Sequence, residues 1–497
     1  MMKKKVIVIG GGLGGLSAAI SLAQSHYDVT LLEQNMHIGG KLNRLEMEGF
    51  GFDLGPSILT MPHIFERLFS SSGKDMKDYI TIQKVEHEWR SFFPDGEILD
   101  LYGDLNTMAA ENQFLTEKDI REYKRFLDYA KGLYEMTEEG YFKDGLDTTL
   151  EVIKKHGLFK SMKGFDLFST MSEAIDRYIN NNNLKTMLSY FIKYVGSSPY
   201  DAPAILNMMI YMQHAQGVWY VPGGMHRIAD GMVKLAKEIG VDIQLGKKVA
   251  QLMKNSNSIE GLLLEDGTKY EADYYISNME VIPAYEKLLG ESKSYINKLE
   301  EKFEPSSSGL VLHLGVRGHY PQLAHHNFFF SSNLKEQMDK IFHQKKLPDD
   351  PTIYLVNVNK TDPAQTLPDH ENLKVLPHIP YIQDQPFTES DYRNLREKVL
   401  VKLEHMGLTD LRKNIVVEDM WTPHDIHRMY GSHRGSIYGT VSDKKKNKGF
   451  KHPKKSQLYD NLYFVGGTVN PGGGMPMVTL SGQQVRDKII QADTSSF

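Results

Sequence analysis

Residues 5–20 read KVIVIGGGLGGLSAAI. Val6–Ile9 is a short continuous apolar run rich in β-branched residues, the pattern of a parallel strand covered on both faces. A glycine loop follows, and Leu16–Ser25 then alternates small and apolar residues at helical spacing. Asp28–Glu33 (DVTLLE) reads as a second strand, which completes a βαβ unit.

Gly10, Gly12 and Gly15 form G-x-G-x-x-G between the first strand and the helix. The first glycine allows the tight turn, the second admits a pyrophosphate to the backbone, and the third lets helix and strand pack closely. Free N–H groups at the helix start, together with its dipole, favour the phosphates. Glu33 ends the second strand eighteen residues after Gly15, placed to accept hydrogen bonds from an adenosine ribose and to repel a 2′-phosphate. Gly39, Gly40 and Lys41 come next, and then Phe52–Ser57 (FDLGPS). A nicotinamide-dependent dehydrogenase has no use for this second glycine turn with a basic residue, whereas a flavin protein must also hold an isoalloxazine ring. The reading therefore favours FAD. Near the other end, Tyr463–Pro476 (YFVGGTVNPGGGMP) puts a strand ahead of a second glycine-rich turn and a helix start, suited to the ribityl chain and flavin ring.

Outward from these motifs, 497 residues allow two to four domains. With 40% apolar and 24% charged residues the chain is of ordinary globular composition, and a formal charge of −5 does not suggest nucleic acid as a partner. The absence of cysteine excludes disulfides, Cys-ligated zinc, iron–sulfur clusters and a thiol nucleophile, so redox chemistry must come from a bound cofactor. No signal peptide is read in the glycine-broken amino terminus, and no window reaches the ~18–20 apolar residues of a bilayer span. The expectation is a cytoplasmic protein, soluble or lying on a membrane surface.

The pattern predicts an α/β chain with a Rossmann-like cofactor domain in three pieces, residues 1–75, 215–285 and 455–497. A substrate domain of α+β character, residues 76–214 and 286–454, is threaded through it. Expected elements include a hairpin over Trp89–Tyr102, a helix over Ala229–Ile239 and a hairpin over Ile259–Ser277 turning at Asp266 and Gly267. Strands are expected at Leu310–Gly315, Ile353–Val358, Val375–Ile379 and Ile415–Trp421, and a last helix from Val478 to Ala492. Ala204–Met225, with Met208, Met209, Met212, Trp219 and Tyr220, offers the soft apolar lining that an uncharged substrate needs.

Three stretches carry a family likeness: IGGGLGGLSAAI with LLEQN and IGGK, then WYVPGGMHRIADGM, then NPGGGMPMVTLSGQQV. Together they resemble the carotenoid/retinoid oxidoreductase family of phytoene desaturase-like flavoproteins, along essentially the whole chain. The resemblance implies a fold shared with phytoene desaturases and amine oxidases, and a long apolar tunnel ending at FAD. It implies pyrophosphate contacts from Gly10, Gly12, Leu13, Gly14 and Gly15, and adenosine ribose contacts from Glu33 and Gln34. Gly40, Lys41 and Leu42 would lie by the phosphates, and the backbone of Val249 by the adenine. Gly55, Pro56 and Ser57 would surround the flavin with Gly466, Gly467, Val469, Gly474, Met475, Pro476 and Met477.

Within the family, GFDLGPSILTMP, FIKYVGSSPYDAPA, PQLAHHNFFF, PDDPTIYLVN, LPHIPYIQDQPFT and SDKKKNKGF look most like members that oxidise a terminal methyl of a thirty-carbon carotenoid to the aldehyde. Molecular oxygen is then the implied oxidant, staphyloxanthin-type biosynthesis the implied pathway, and the inner face of the cell membrane the implied place. The motifs themselves specify FAD and do not separate methyl oxygenation from desaturation, and a flavin amine oxidase or a pigment carrier stays open beside them. No acid–base pair is singled out, because a flavin supplies the chemistry and the protein positions the substrate.

His325, His326, His424, His427 and His433 have no zinc-like spacing and are read as surface residues, so no metal is expected. The lysines from Lys444 to Lys455 are read as a solvated loop. Leu158, Met162, Phe165 and Phe168, with Lys154, Lys155, Lys160 and Lys163 nearby, are read as an interfacial helix on anionic lipid.

Overall fold

The structure, a computed structural model, describes residues 3–157 and 164–494. Val6–Ile9 are buried, as a strand covered on both faces must be, and Lys5–Ile9 pairs in parallel with Asp28–Leu32 and Tyr274–Ser277. Asp242–Gln244 and Leu462–Phe464 extend the sheet outward, giving five parallel strands drawn from distant parts of the chain. Leu13–Gln24 is the crossover helix and packs against Met475–Thr494, where the Ser17 hydroxyl donates to the Thr479 carbonyl at 2.6 Å. Both helices begin three residues earlier than their apolar period indicates. Tertiary packing there outweighs the low helix propensity of Gly14 and Gly15, and Pro476 falls in the first turn of its helix, where the missing N–H has no intrahelical partner to lose.

The second sheet is mixed. Its strands run in the order Ile415–Trp421, Val311–Arg317, His370–Ile379, Ile353–Asn357, His326–Phe329, His87–Phe92 and Ile98–Tyr102, with Ser308–Gly309 beside His370–Ile379. All these pairs are antiparallel except His326–Phe329 with His87–Phe92. Strand periodicity gives the sheet two distinct faces. Leu312, Leu314, Ile353, Leu355, Leu373 and Val375 pack under the helix Glu389–His405. Val311, Tyr354, Val356, Lys374 and Leu376 alternate with them and face a large cavity.

Two expected strands differ. The hairpin from Ile259 ends at Tyr270, because Tyr274–Ser277 leaves it to join the parallel sheet beside Lys5–Ile9. The strand expected at Val375–Ile379 starts at His370, its polar first half held by buried partners. The Glu371 carboxylate accepts from the Tyr320 N–H and pairs with Lys360, and Asn372 donates to the Gly51 carbonyl.

Candidate functional site

One continuous cavity of about 1200 Å³ runs from the first glycine loop to the apolar Met208–Gln216 helix. At its polar end the helix Leu13–Gln24 starts on Gly12 with no side-chain cap, which leaves its first N–H groups for an anion. The Glu33 carboxylate accepts from the Gly11 N–H at 2.7 Å and from the Asn35 backbone and side-chain N–H groups at 2.8 Å, tying the second strand end to the loop. The Gly39 N–H donates to the Gly11 carbonyl, bringing the second glycine turn alongside.

These turns are packed too closely for side chains. A Cβ on Gly14 would lie 2.9 Å from the Gly466 nitrogen, and one on Gly55 would lie 1.9 Å from the Lys41 carbonyl oxygen. Three glycine-rich segments thus form a backbone-walled groove around the helix start, and this fits a dinucleotide with its pyrophosphate at the helix N-terminus.

The cavity collects Gly10, Gly12, Leu13, Gly14, Glu33, Gln34, Gly40, Lys41, Leu42, Gly55, Pro56, Ser57, Val249, Gly466, Gly467, Gly474, Met475, Pro476 and Met477. Gly15 and Val469 stand off it. Gly15 sits under the Gly10 carbonyl, and Val469 is fully buried among Leu462 and Phe464. At the apolar end Met208, Met209 and Met212 line the wall as expected, but Trp219 and Tyr220 do not. The Trp219 backbone exchanges hydrogen bonds with Leu59, and Tyr220 packs on His325.

Burial overturns two surface assignments. His325 and His326 lie inside, with rings 4.3 Å apart, and no metal-binding group of His, Asp or Glu occurs among the described residues. Of the lysine run, Lys451 and Lys454 are buried. The Lys451 ammonium bonds the Thr440 carbonyl and burial pushes its pKa down to about 7, while Lys454 pairs with Asp147. Leu158, Lys160, Met162 and Lys163 of the expected interfacial helix lie outside the described residues.

Sequence reasoning missed Lys193 and Lys374, both buried in the cavity wall. Lys374 donates to the Gly55 carbonyl and to Ser57, and burial lowers its pKa to about 8 against the pull of Asp53. The available signal was a single lysine inside an apolar run, YFIKYV for Lys193 and NLKVLP for Lys374. Behind the cavity, the Tyr194 hydroxyl donates to Gln213, which donates to the buried Glu88 carboxylate.

Burial raises the Glu88 pKa from 4.5 to about 7, Gln213 opposing. Between those values the folded protein keeps a proton that the unfolded chain releases, so stability is lost as pH rises through this window. Glu88→Gln is expected to remove that loss. The variant should gain on the order of 3 kcal/mol relative to the parent between pH 4 and pH 8. Parallel pH profiles of the two thermal midpoints would refute it.

The pattern of the flavin-containing amine oxidoreductases matches residues 13–374. The chain is 61% identical over 489 residues to the 4,4'-diaponeurosporene oxygenase of Staphylococcus haemolyticus, covering 98% of this chain and 97% of that one. It is 59% identical to the Staphylococcus aureus protein of the same name, covering 98% of each. Among solved structures it resembles putrescine oxidase bound to putrescine, with a TM-score of 0.66, 13% identity and 99% of each chain covered. An oxidoreductase from Methanosarcina mazei gives a TM-score of 0.62 at 15% identity, over 97% of this chain and 100% of that one. At such identities these two structures establish the fold alone.

Proposed function

The chain belongs to the flavin-containing amine oxidoreductases, and from that premise we propose that it oxidises the terminal methyl group of 4,4'-diaponeurosporene to the aldehyde. Its cofactor is FAD. The observation that carries the reading is the continuity of one cavity, backbone-walled and polar at the glycine turns and apolar along Met208, Met209 and Met212. A polyene offers no charge to recognise and needs such a wall. Likeness to the diaponeurosporene oxygenases over 98% of the chain supports methyl oxygenation over desaturation.

With molecular oxygen as oxidant the reaction balances as R–CH3 + O2 → R–CHO + H2O, with no further reductant. FAD supplies the acceptor for hydrogen leaving the activated allylic carbon. The protein's part is to seat the cofactor on the glycine turns, to hold the polyene in register so that its end carbon is the one that reacts, and to exclude water. Residues 1–75, 215–285 and 455–497 form the cofactor-holding part of this scheme and residues 76–214 and 286–454 the substrate-holding part. Gly10, Gly12, Leu13 and Gly14 serve the pyrophosphate, with Gly15 letting the helix pack close behind them, Glu33 and Gln34 serve the ribose, and the Gly466–Met477 turn the flavin.

Glu33→Ala is expected to weaken FAD retention by about 1–3 kcal/mol, the scale of a charge-assisted hydrogen bond. Flavin released on dialysis measures it, and undiminished retention removes Glu33 from the site.

A carotenoid reaches the enzyme from lipid, and no helix among the described residues is long and apolar enough to cross a membrane. Leu150, Leu167 and Phe168 are exposed beside the cavity-lining Ile153 and Phe165. They form an apolar rim that rests on the inner face of the cell membrane, where the pathway is staphyloxanthin-type carotenoid synthesis. Changing Leu167 and Phe168 together to serine is expected to weaken liposome co-sedimentation at least about tenfold, since each side chain removes apolar area from water. Equal co-sedimentation of parent and variant would place the membrane face elsewhere. The function itself is tested by supplying diaponeurosporene in liposomes to the FAD-loaded protein and identifying the product. An aldehyde at one chain end is expected, and an unreacted pool would contradict the reading.

A further inference from the structure

Lys193 has the least ordinary surroundings of any lysine in the cavity wall. Only 6% of it is exposed, and its Nζ makes no hydrogen bond or ion pair among the described residues. Four aromatic rings enclose it instead, with centroids at 4.0 Å (Tyr194), 4.8 Å (Trp89), 4.8 Å (Tyr354) and 5.2 Å (Phe328). The hydroxyls of the cavity-lining Tyr354, Tyr438 and Tyr194 are engaged with partners outside the cavity, while the buried Trp89 Nε1 and His326 Nε2 have no hydrogen-bond partner among the described residues. The Tyr354 hydroxyl is 2.9 Å from His326 Nδ1, the Tyr438 hydroxyl is 3.3 Å from His378 Nε2, and the Tyr194 hydroxyl donates to Gln213.

Lys193 faces the cavity from among apolar rings, and a ligand that brings an acceptor gives its donor a partner. A hydrocarbon cannot do so. Burial also pushes the Lys193 pKa well below that of an ordinary lysine, and in either protonation state its Nζ carries an N–H to donate.

We propose that Lys193 is the positioning group for the oxygen-bearing end of the polyene, its Nζ–H donating to the terminal carbonyl oxygen within the aromatic enclosure. This rests on the carotenoid-oxidising reading of the site and adds the determinant that recognises the oxidised end. Lys193 stands over Tyr354, whose cross-strand partner is Leu376, two residues along the strand from Lys374 at the flavin-side turn Gly55–Ser57. The donor is therefore near the part of the cavity where the end carbon must react. Once an oxygen is on that carbon, the contact holds it in register, and the aldehyde binds more tightly than the hydrocarbon from which it came.

The experiment titrates the full-length, FAD-loaded protein in detergent micelles with two probes, diaponeurosporene and its terminal aldehyde, and records the Raman C=O stretch of the bound aldehyde. The aldehyde is expected to bind about tenfold more tightly than the hydrocarbon, with its C=O stretch lowered relative to an alkane solution. Lys193→Met keeps the length of the side chain and suits the aromatic enclosure. It should erase the preference for the aldehyde over the hydrocarbon and restore the stretch. Equal affinities with an unshifted stretch in the parent protein would overturn the proposal without any variant, and so would a lowered stretch that persists in Lys193→Met. If the parent protein binds neither polyene, the reading of the cavity falls first and the role of Lys193 with it.

Discussion

Replacing Gly15 by alanine is expected to cost about 3–5 kcal/mol of stability and to abolish FAD retention. A Cβ at this position would stand 2.1 Å from the Gly10 carbonyl oxygen and 3.2 Å from the Asn278 side chain. The nearer atom is backbone in the first glycine turn and cannot swing away, so either the helix Leu13–Gln24 lifts from the sheet or the turn opens. The helix is held from its other side by Met475–Thr494 through the Ser17–Thr479 bond, so the displacement cannot stay local. Forced overpacking with backbone strain belongs to the few mechanisms that exceed the ordinary ~1 kcal/mol of a point mutation. The measurement is the thermal midpoint with and without added FAD. A variant that purifies yellow with an unchanged midpoint would show that the close packing at Gly15 is dispensable.

The second large effect concerns a buried ion pair. The Lys454 side chain is fully buried, and its ammonium sits 2.6 Å from Asp147, which also takes Lys488 at 3.1 Å and the Asn470 amide at 3.2 Å. Burial alone would raise the Asp147 carboxyl, yet the two ammonium groups hold it below its ordinary value. Asp147→Asn keeps the volume and leaves the Lys454 charge uncompensated, for an expected loss of about 3–5 kcal/mol. Leu146 and Thr149 line the cavity on either side, and Pro471 follows Asn470 into it, so FAD retention should fall as well. Adding Lys454→Met to Asp147→Asn should recover most of the loss, because the uncompensated charge is then gone. Additive losses in the double variant would show that the pair acts through something other than its charges.

The parts of this fold legible in the sequence are those whose signal is local. The glycine loop with Glu33 fixes a strand, a helix start and a second strand within about thirty residues, and Asn461–Val465 with the turn behind it repeats the style. The strands expected at Ile353–Val358 and Ile415–Trp421 are found at Ile353–Asn357 and Ile415–Trp421. What could not be read locally was which polar residues go inside. Lys193, Lys374, Lys454 and His326 look like surface residues by composition, and their partners are the rings of Trp89 and Tyr354, the Gly55 carbonyl, Asp147 and the Tyr354 hydroxyl. Most of these lie more than a hundred residues away along the chain. Tyr274–Ser277 failed for the same reason, because its true neighbour is Lys5–Ile9 rather than the hairpin it follows.

Oxygenation and desaturation share their first demand, removal of hydrogen from an allylic carbon held near the flavin, and differ in what is left on that carbon. Incubating the FAD-loaded protein with diaponeurosporene under isotopically labelled oxygen, with mass analysis fast enough to limit exchange of the aldehyde with water, separates them. The account predicts a terminal aldehyde carrying one labelled oxygen atom, and a product lacking two hydrogens with no added oxygen would contradict it.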